Sequence, residues 1–270
     1  MTSTPSLHHG LTRAGKAVRL WFREWGLLAH LGAVMLVLAL SPSSYSGEGR
    51  AALSRHIYLN TAPILLGFSV LCALVTVVLT RIVLVTAQSY GLSQYALQVV
   101  IRVLVLELIP LTAALFVALR CTIPDGSALM AMQASGELDE MRQRGVEPVR
   151  REVLPRVVAG MFAGLTLAAL SCVVAVVVAY VAVYGFAVSG MAAYTRLFGQ
   201  VFSPAVTLIF VLKTVLFSLA VSLIPMASAL YGLPDGRGVS VRTSVEMRGL
   251  VRMFAVILLV EVASLVGNYY

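Results

Sequence analysis

The chain has 270 residues, of which 59% are hydrophobic and only 12% are charged. Soluble domains carry about 25% charged residues, so this composition excludes an ordinary soluble protein and indicates an integral membrane protein. A net charge of +8 would suit a nucleic acid partner, but the basic residues are distributed as in an oriented membrane protein, and we expect no nucleic acid partner.

The N-terminal region is expected to contain a disordered tail, residues 1–10, and an amphipathic, interfacial helical segment, residues 11–54. Apolar side chains recur at helical spacing opposite basic ones, as in a basic helix that lies in the membrane interface. The apolar residues are Val18, Trp21, Phe22, Trp25 and Leu28. The apolar run 27–40 is short for a span, which needs roughly 20 residues. We therefore favour an interfacial or half-inserted helix, with full crossing as the alternative.

Five longer apolar runs follow, and each is long enough to cross a membrane as a helix. They cover residues 57–87, 96–119, 157–187, 202–231 and 250–267. Their apolar residues are continuous rather than alternating, which disfavours a membrane β-barrel. The sequence therefore predicts an all-α, polytopic membrane protein with a five-span domain at residues 55–270.

Lys and Arg residues are distributed unequally among the connecting segments. Sixteen of them lie in segments 1–30, 42–56, 120–156 and 232–252, whereas the alternate segments and the C-terminal end contain only Arg196. Cytoplasmic segments of membrane proteins carry the excess of basic residues. We therefore expect a cytoplasmic N-terminus and a C-terminus on the opposite side of the membrane.

A charge-dense segment, residues 124–156, separates the second and third predicted spans, and we call it the elbow. Six basic and six acidic residues lie between Arg120 and Arg156, while the flanking runs are almost free of charge. Composition alone favours a solvated loop. A polar helix held between two spans is also suited to docking a soluble partner.

Helix signals divide the elbow. Asp125 or Ser127 can cap a helix that is expected to run from about Ser127 to Arg144. Gly145 is expected to end this helix, because glycine is favoured just after a helix C-terminus. Pro148 is then expected to open the helix of the third span.

Charged residues inside the predicted spans are candidates for function. They are Arg81, Arg102, Glu107, Lys213 and Glu261. Each raises the free energy of insertion by roughly 2.5–3.5 kcal/mol unless it is paired or hydrated. The alternative is that Arg102 and Glu107 pair with neighbouring helices and fix the packing, while Arg81 extends to the membrane interface.

The sequence contains no pattern typical of an enzyme or a metal site. The four histidines lack ligand spacing with a carboxylate on a span, and the three cysteines are interpreted as small core residues. No glycine-rich loop ends in Lys-Ser or Lys-Thr, so ATP hydrolysis is not expected of this chain. We expect no enzymatic activity, no metal and no cofactor.

The elbow resembles that of the MlaE family of permeases, the membrane subunits of ABC transporters that act on lipids with MCE proteins. The matching residues are Glu137, Met141, Gly145, Val146, Glu147, Pro148, Leu154, Pro155 and Arg156. The similarity extends to Glu107-Leu108-Ile109-Pro110, which stands for a Glu-Leu-Gly-Pro element, and to Lys213. It continues at Gly238-Val239-Ser240 and at Thr243 and Ser244.

Two departures distinguish the chain from the family pattern. Leu106 stands where the family usually has a basic residue. The glutamate that usually follows a small-residue stretch is replaced at Ser127-Ala128. The chain thus resembles a divergent member, or one half of a permease heterodimer.

The resemblance implies a permease in a bacterial inner membrane that moves phospholipid or a related lipid between inner and outer membranes. It implies three protein partners: a cytoplasmic ABC ATPase dimer that uses ATP, a periplasmic MCE-domain assembly, and a second permease copy, identical or different. The implied ATPase-docking residues are Glu137, Leu138, Asp139, Glu140, Met141, Arg142, Arg144, Gly145 and Pro148, with Leu138 and Met141 facing a groove of the ATPase. The implied lipid-path residues are Arg102, Lys213 and Arg81 as cations, with Glu107 and Glu261.

Two other classes remain. A non-transporting scaffold or degenerate permease is favoured by the altered second span. A membrane enzyme acting on lipid is disfavoured, because no set of His, Asp or Ser side chains clusters near one interface.

Overall fold

The structure is a computed structural model that describes residues 5–42, 48–232 and 239–269. Over these ranges the chain is helical and contains no strand, so the predicted all-α polytopic fold is confirmed. The helices are α1 (Pro5–Leu40), α2 (Glu48–Ser89), α3 (residues 93–135), α4 (Glu137–Gln143), α5 (Val149–Tyr184), α6 (Met191–Val201), α7 (Pro204–Tyr231) and α8 (Val239–Tyr269). Gly238 of the family-like element lies outside the described residues.

Six of the described helices are long and apolar enough to cross a membrane. Five are the predicted spans, in α2, α3, α5, α7 and α8. The sixth is Phe22–Leu40 of α1, whose mean hydropathy of 1.4 is the lowest of the six. The sequence analysis counted only residues 27–40, but the helix continues unbroken through Phe22. Its length and composition therefore suit crossing as well as an interfacial position.

The helix α1 also extends further toward the N-terminus than expected. It begins at Pro5, inside the tail expected at residues 1–10, and residues 1–4 of that tail lie outside the described part of the chain. Proline suits the first helical turn. Adding residues to an existing helix is also far easier than nucleating one.

The helix α3 runs without a break from the second span into the elbow. It contains two π-helical segments, Ile101–Leu108 and Ala118–Thr122. The expected end of this span at Leu119, with a new helix from Ser127, is therefore wrong. Proline usually breaks a helix because its ring collides with the carbonyl four residues earlier. Here Pro110 and Pro124 each lie two residues after the end of a π-helical segment, and the wider π turn leaves room for the ring.

The elbow contains two glycine breaks rather than one. Gly136 (φ 85°) and Gly145 (φ 76°) are both left-handed, a conformation that glycine adopts readily. The expected single helix from Ser127 to Arg144 is corrected, because Gly136 ends α3 and leaves α4 with only seven residues. The predicted stop at Gly145 is confirmed, as is the start of the next helix after Pro148.

Close contacts between small residues bring α5 and α7 together. A side-chain Cβ added at Gly160 would lie 2.7 Å from Ser222 Oγ, and one at Gly164 would lie 2.6 Å from Ser218 Oγ. Small residues allow membrane helices to approach closely, where dispersion contacts supply the attraction that lipid cannot. These two helices form the centre of the bundle.

The segment between α5 and α7 is not a simple loop. Tyr194 of α6 is buried, and its hydroxyl donates to the carbonyl of Val176 at 2.8 Å. Burial raises the pKa of Tyr194 to about 12. The short helix α6 is thereby held against the end of the bundle that lies away from the elbow.

Candidate functional site

Lys213 lies at the centre of a buried group of charges that joins three spans. Its side chain on α7 is only 1% exposed. The ammonium forms an ion pair with Glu107 Oε2 of α3 and lies 2.8 Å from Glu261 Oε2 of α8. We call these three side chains the ion cluster. The sequence analysis identified each of them as a candidate, and the structure brings them together.

Further contacts complete the surroundings of the ammonium. Lys213 Nζ donates to the Leu106 carbonyl at 3.4 Å and lies 5.6 Å from the centre of the Phe217 ring. Pro110 has no N–H to donate to the carbonyl of Leu106 four residues earlier, so this oxygen remains available for Lys213. Asn268 Nδ2 donates to Glu107 Oε1 at 3.4 Å. The charges are thus held by groups from α3, α7 and α8.

The composition of the ion cluster has an electrostatic consequence. Two carboxylates surround one ammonium, so the three groups carry a formal charge of −1 when all are ionised. Removing one member of a buried ion pair leaves the other charge uncompensated, which typically destabilises a protein by about 3–5 kcal/mol. The ion cluster therefore either fixes the packing of three spans or requires a further positive or polar group to balance its charge.

Arg102 lies close to the ion cluster but does not join it. It lines a small cavity with Leu106, Val201, Val206 and Asn268. Among the described side chains, none of the ion pairs involves Arg102. Because Asn268 also binds Glu107, it connects this cavity with the ion cluster. Arg102 thus remains a candidate for binding an anionic group.

Arg81 has a different environment. It lies on α2 with an exposed side chain and takes part in no ion pair among the described residues. The structure does not bring it to the ion cluster. Its exposure agrees with a side chain that extends toward the membrane interface.

The exposed face of the elbow carries opposite charges in pairs. Arg142 Nη1 lies 2.7 Å from Asp139 Oδ1, and Arg144 Nη2 lies 3.4 Å from Glu140 Oε2. Exposed ion pairs of this kind contribute only about 0–1 kcal/mol to stability. These four side chains, together with exposed Glu137, remain available to a partner.

The apolar face of α4 turns inward, which corrects one sequence interpretation. Leu138 is 2% exposed and belongs to a core cluster with Leu129 and Leu154. Met141 is partly buried against the same cluster, and Pro148 is buried. The expectation that Leu138 faces a groove of a partner is wrong, whereas for the partly exposed Met141 it stays a prediction. The helix α4 lies against the end of the bundle, so its apolar side chains pack on α3 and α5.

Polar contacts connect the elbow with three other spans. Asn60 Nδ2 of α2 donates to Asp125 Oδ2 at 3.2 Å, and Ser127 Oγ donates to Glu246 Oε1 of α8 at 3.0 Å. Gln133 Nε2 donates to the carbonyl of Leu230, at the end of α7, at 3.4 Å. These hydrogen bonds join the elbow to α2, α7 and α8.

Several of these partners were missed in the sequence. Asn60 and Asn268 are amides in otherwise apolar helices, and that isolation is the signal that could have found them. Phe217 carries no such signal, because it is one of many apolar residues in its span. The pairing of Glu24 in α1 with Arg252 in α8 joins residues 228 positions apart, and nothing local indicates it.

Comparison with known proteins identifies a family that matches the chain. The chain matches the sequence model of the family described as Permease MlaE over residues 53–266, which is more than half of its length. The matched range includes the ion cluster and the elbow and excludes α1. No curated protein matches the chain.

Proposed function

Because the chain belongs to the MlaE permease family, we propose that it is the transmembrane subunit of an ABC transporter that moves phospholipid or a related lipid between inner and outer membranes. The chain is a multi-pass membrane protein, and six helices in its described part have spanning length and composition. We further propose an inner-membrane location with the elbow in the cytoplasm.

The observation that carries the proposal is the ion cluster. Ionised side chains inside membrane spans are rare, and they mark substrate paths and relays. Lys213 is held by carboxylates from two other spans and lies near the cavity of Arg102. A lipid phosphate is the ligand class that suits Arg102, which is unpaired among the described side chains, and it suits Lys213 once Glu107 and Glu261 have moved away from the ammonium. In this proposal, separation of the spans exposes Lys213 to the lipid headgroup, and Arg102 supplies a second positive charge.

The elbow supports a coupled mechanism. The exposed charges of α4 would contact a cytoplasmic ATPase, while buried Leu138 fastens α4 to α3 and α5. The helix α3 is continuous from the elbow back to Glu107, a distance of roughly 40 Å at the rise of a helix. Closure of the ATPase dimer would then push α3 and move Glu107 relative to Lys213. Two permease copies and a periplasmic MCE-domain assembly complete the proposed transporter.

A second candidate function is a non-transporting half of a heterodimer. It is favoured by Leu106, which replaces a basic residue, and by Lys213, whose charge is already balanced inside the chain. In that case the ion cluster fixes the packing, and a partner permease lines the lipid path.

One purification tests both candidates. The chain, tagged at its N-terminus, is extracted from native membranes in mild detergent, and its companions are identified by mass spectrometry. An ATPase, an MCE protein and phospholipid together support the transporter. A second, different permease among them supports the heterodimer, and recovery of the chain alone argues against ATP-driven lipid transport.

A further inference from the structure

A second cavity lies at the elbow end of the bundle, between α1, α7 and α8. It is a shallow depression that is open to the surface. Six of its lining residues carry the argument: Glu24, Leu27, Leu28, Tyr231, Arg248 and Arg252. We call it the basic pocket. Leu230, next to Tyr231, accepts a hydrogen bond from Gln133 of the elbow. The pocket therefore lies at the elbow end of α7, away from Lys213.

The basic pocket has a surplus of positive charge. Arg252 is paired with Glu24 of α1. Arg248 is exposed one helical turn earlier, and its Nε donates to the backbone carbonyl of Ser244 at 3.4 Å. Arg248 takes part in none of the ion pairs between described side chains. Residues four apart share a helix face, so two guanidinium groups and one carboxylate face the same depression.

Apolar side chains form part of the wall beside these charges, next to Ser228 and Gly232. Leu27 and Leu28 of α1 and Val245 of α8 line the pocket with Tyr231. Arginine near a helix end keeps its apolar stem along the protein and its charge at the membrane surface. A site with guanidinium groups at the rim and leucine below matches a molecule that is anionic at one end and apolar at the other.

We propose that the basic pocket binds the phosphate group of an anionic phospholipid between Arg248 and Arg252, with its acyl chains against Leu27 and Leu28. Guanidinium groups bind phosphate through two parallel hydrogen bonds. Basic clusters beside a span attract anionic lipids of the adjacent leaflet. This lipid is a fixed component that fastens α1 to α7 and α8. The site lies apart from the ion cluster and does not depend on transport.

The test is lipid binding by the purified full-length chain in neutral detergent. Its melting temperature is followed while mixed micelles of phosphatidylglycerol are added, with phosphatidylcholine of the same acyl chains as the comparison lipid. A ligand that binds only the folded state raises the melting temperature with concentration. We expect a rise with phosphatidylglycerol and a much smaller one with phosphatidylcholine.

Paired variants test whether the rise in melting temperature depends on the basic pocket. Arg248→Gln removes one guanidinium without breaking an ion pair, and it is expected to weaken the apparent affinity for phosphatidylglycerol about tenfold. Arg196→Gln makes the same change on exposed α6 and is expected to leave the affinity unchanged. Glu24→Gln combined with Arg252→Gln removes the ion pair without leaving an unpaired charge, and it is also expected to weaken binding.

The outcomes separate the alternatives. Equal affinities of Arg248→Gln, Arg196→Gln and the unmodified chain would overturn the site. Inorganic phosphate added alone is expected to have no effect, because it lacks the acyl chains. A rise with inorganic phosphate as large as that with phosphatidylglycerol would instead show a soluble-anion site and overturn the lipid assignment. Neither result bears on the proposed transport function, because the measurement involves no ATPase.

Discussion

Lys213 Nζ and Glu261 Oε2 lie 2.8 Å apart across α7 and α8, so these two spans cannot separate without uncovering a charge. The same ammonium is bound by Glu107 of α3. One side chain thus joins three spans. Its replacement is the sharpest test of what the ion cluster does.

We expect Lys213→Met to destabilise the chain by about 3–5 kcal/mol, because it leaves two buried carboxylates without their cation. The triple variant with Glu107→Gln and Glu261→Gln removes all three charges and should recover most of that loss. The measurement is thermal unfolding of each variant in detergent. Equal melting temperatures for Lys213→Met and the unmodified chain would show that the ion cluster does not hold the spans together.

The same variants distinguish a role of the ion cluster in lipid transport from a role in helix packing. If Lys213 binds the lipid phosphate, the stable triple variant retains less phospholipid after purification and transports poorly in a reconstituted complex. If the cluster only fixes the packing, the triple variant retains lipid and transports like the unmodified chain. Phospholipid content by mass spectrometry and transport between labelled vesicles give the two readouts.

Leu138→Ala is expected to destabilise the chain by about 2–4 kcal/mol, because it opens a cavity in the core beneath the elbow. Leu119→Ala is the matched control, since Leu119 is 69% exposed and should change stability little. Denaturant or thermal unfolding of both variants provides the comparison. A Leu138 that projects toward a partner would instead give two similar, small effects.

Exchanging the charges of Glu140 and Arg144, as Glu140→Lys with Arg144→Glu, retains an ion pair within α4 but reverses both signs on its surface. Stability should change by less than about 0.5 kcal/mol, because both side chains are exposed. We expect the variant to insert normally and to uncouple ATP hydrolysis from lipid transport. Unimpaired transport by this variant would contradict docking of an ATPase on the elbow.

Gly164→Ala should destabilise the chain by roughly 1–3 kcal/mol, because its new Cβ would lie 2.6 Å from Ser218 Oγ. Adding Ser218→Ala removes that oxygen and should restore part of the loss. Gly199→Ala serves as the control, since nothing lies within 4 Å of a Cβ at that position. Melting temperatures of the single and double variants decide whether close approach is the cause.

Local patterns in the sequence predicted the features that local chemistry determines, which are the spans, a turn and a helix start. The apolar runs located five spans, and the glycine and proline signals placed the turn at Gly145 and the helix after Pro148. The continuity of α3 could not be foreseen, because proline is tolerated there only through π-helical segments that leave no sequence pattern.

The sequence identified the residues of the candidate site one by one but did not predict that they are in contact. Glu107, Lys213 and Glu261 stand out as charges in apolar runs, yet their contact depends on how three helices rotate against each other. The orientation of α4 is a similar case. Its periodicity distinguishes an apolar from a charged face, but only tertiary packing decides that Leu138 turns toward the core.

The ion pair between Glu24 and Arg252 also has a consequence for biogenesis. The helix α1 leaves the ribosome long before α7 and α8. Its Leu31 nevertheless packs in a cluster with Leu223 and Met226 of α7. During synthesis α1 therefore lacks these neighbours until the last two spans have been made. A nascent chain that is halted before Arg252 should leave α1 open to protease or to chemical labelling, and its protection should appear only as translation is completed.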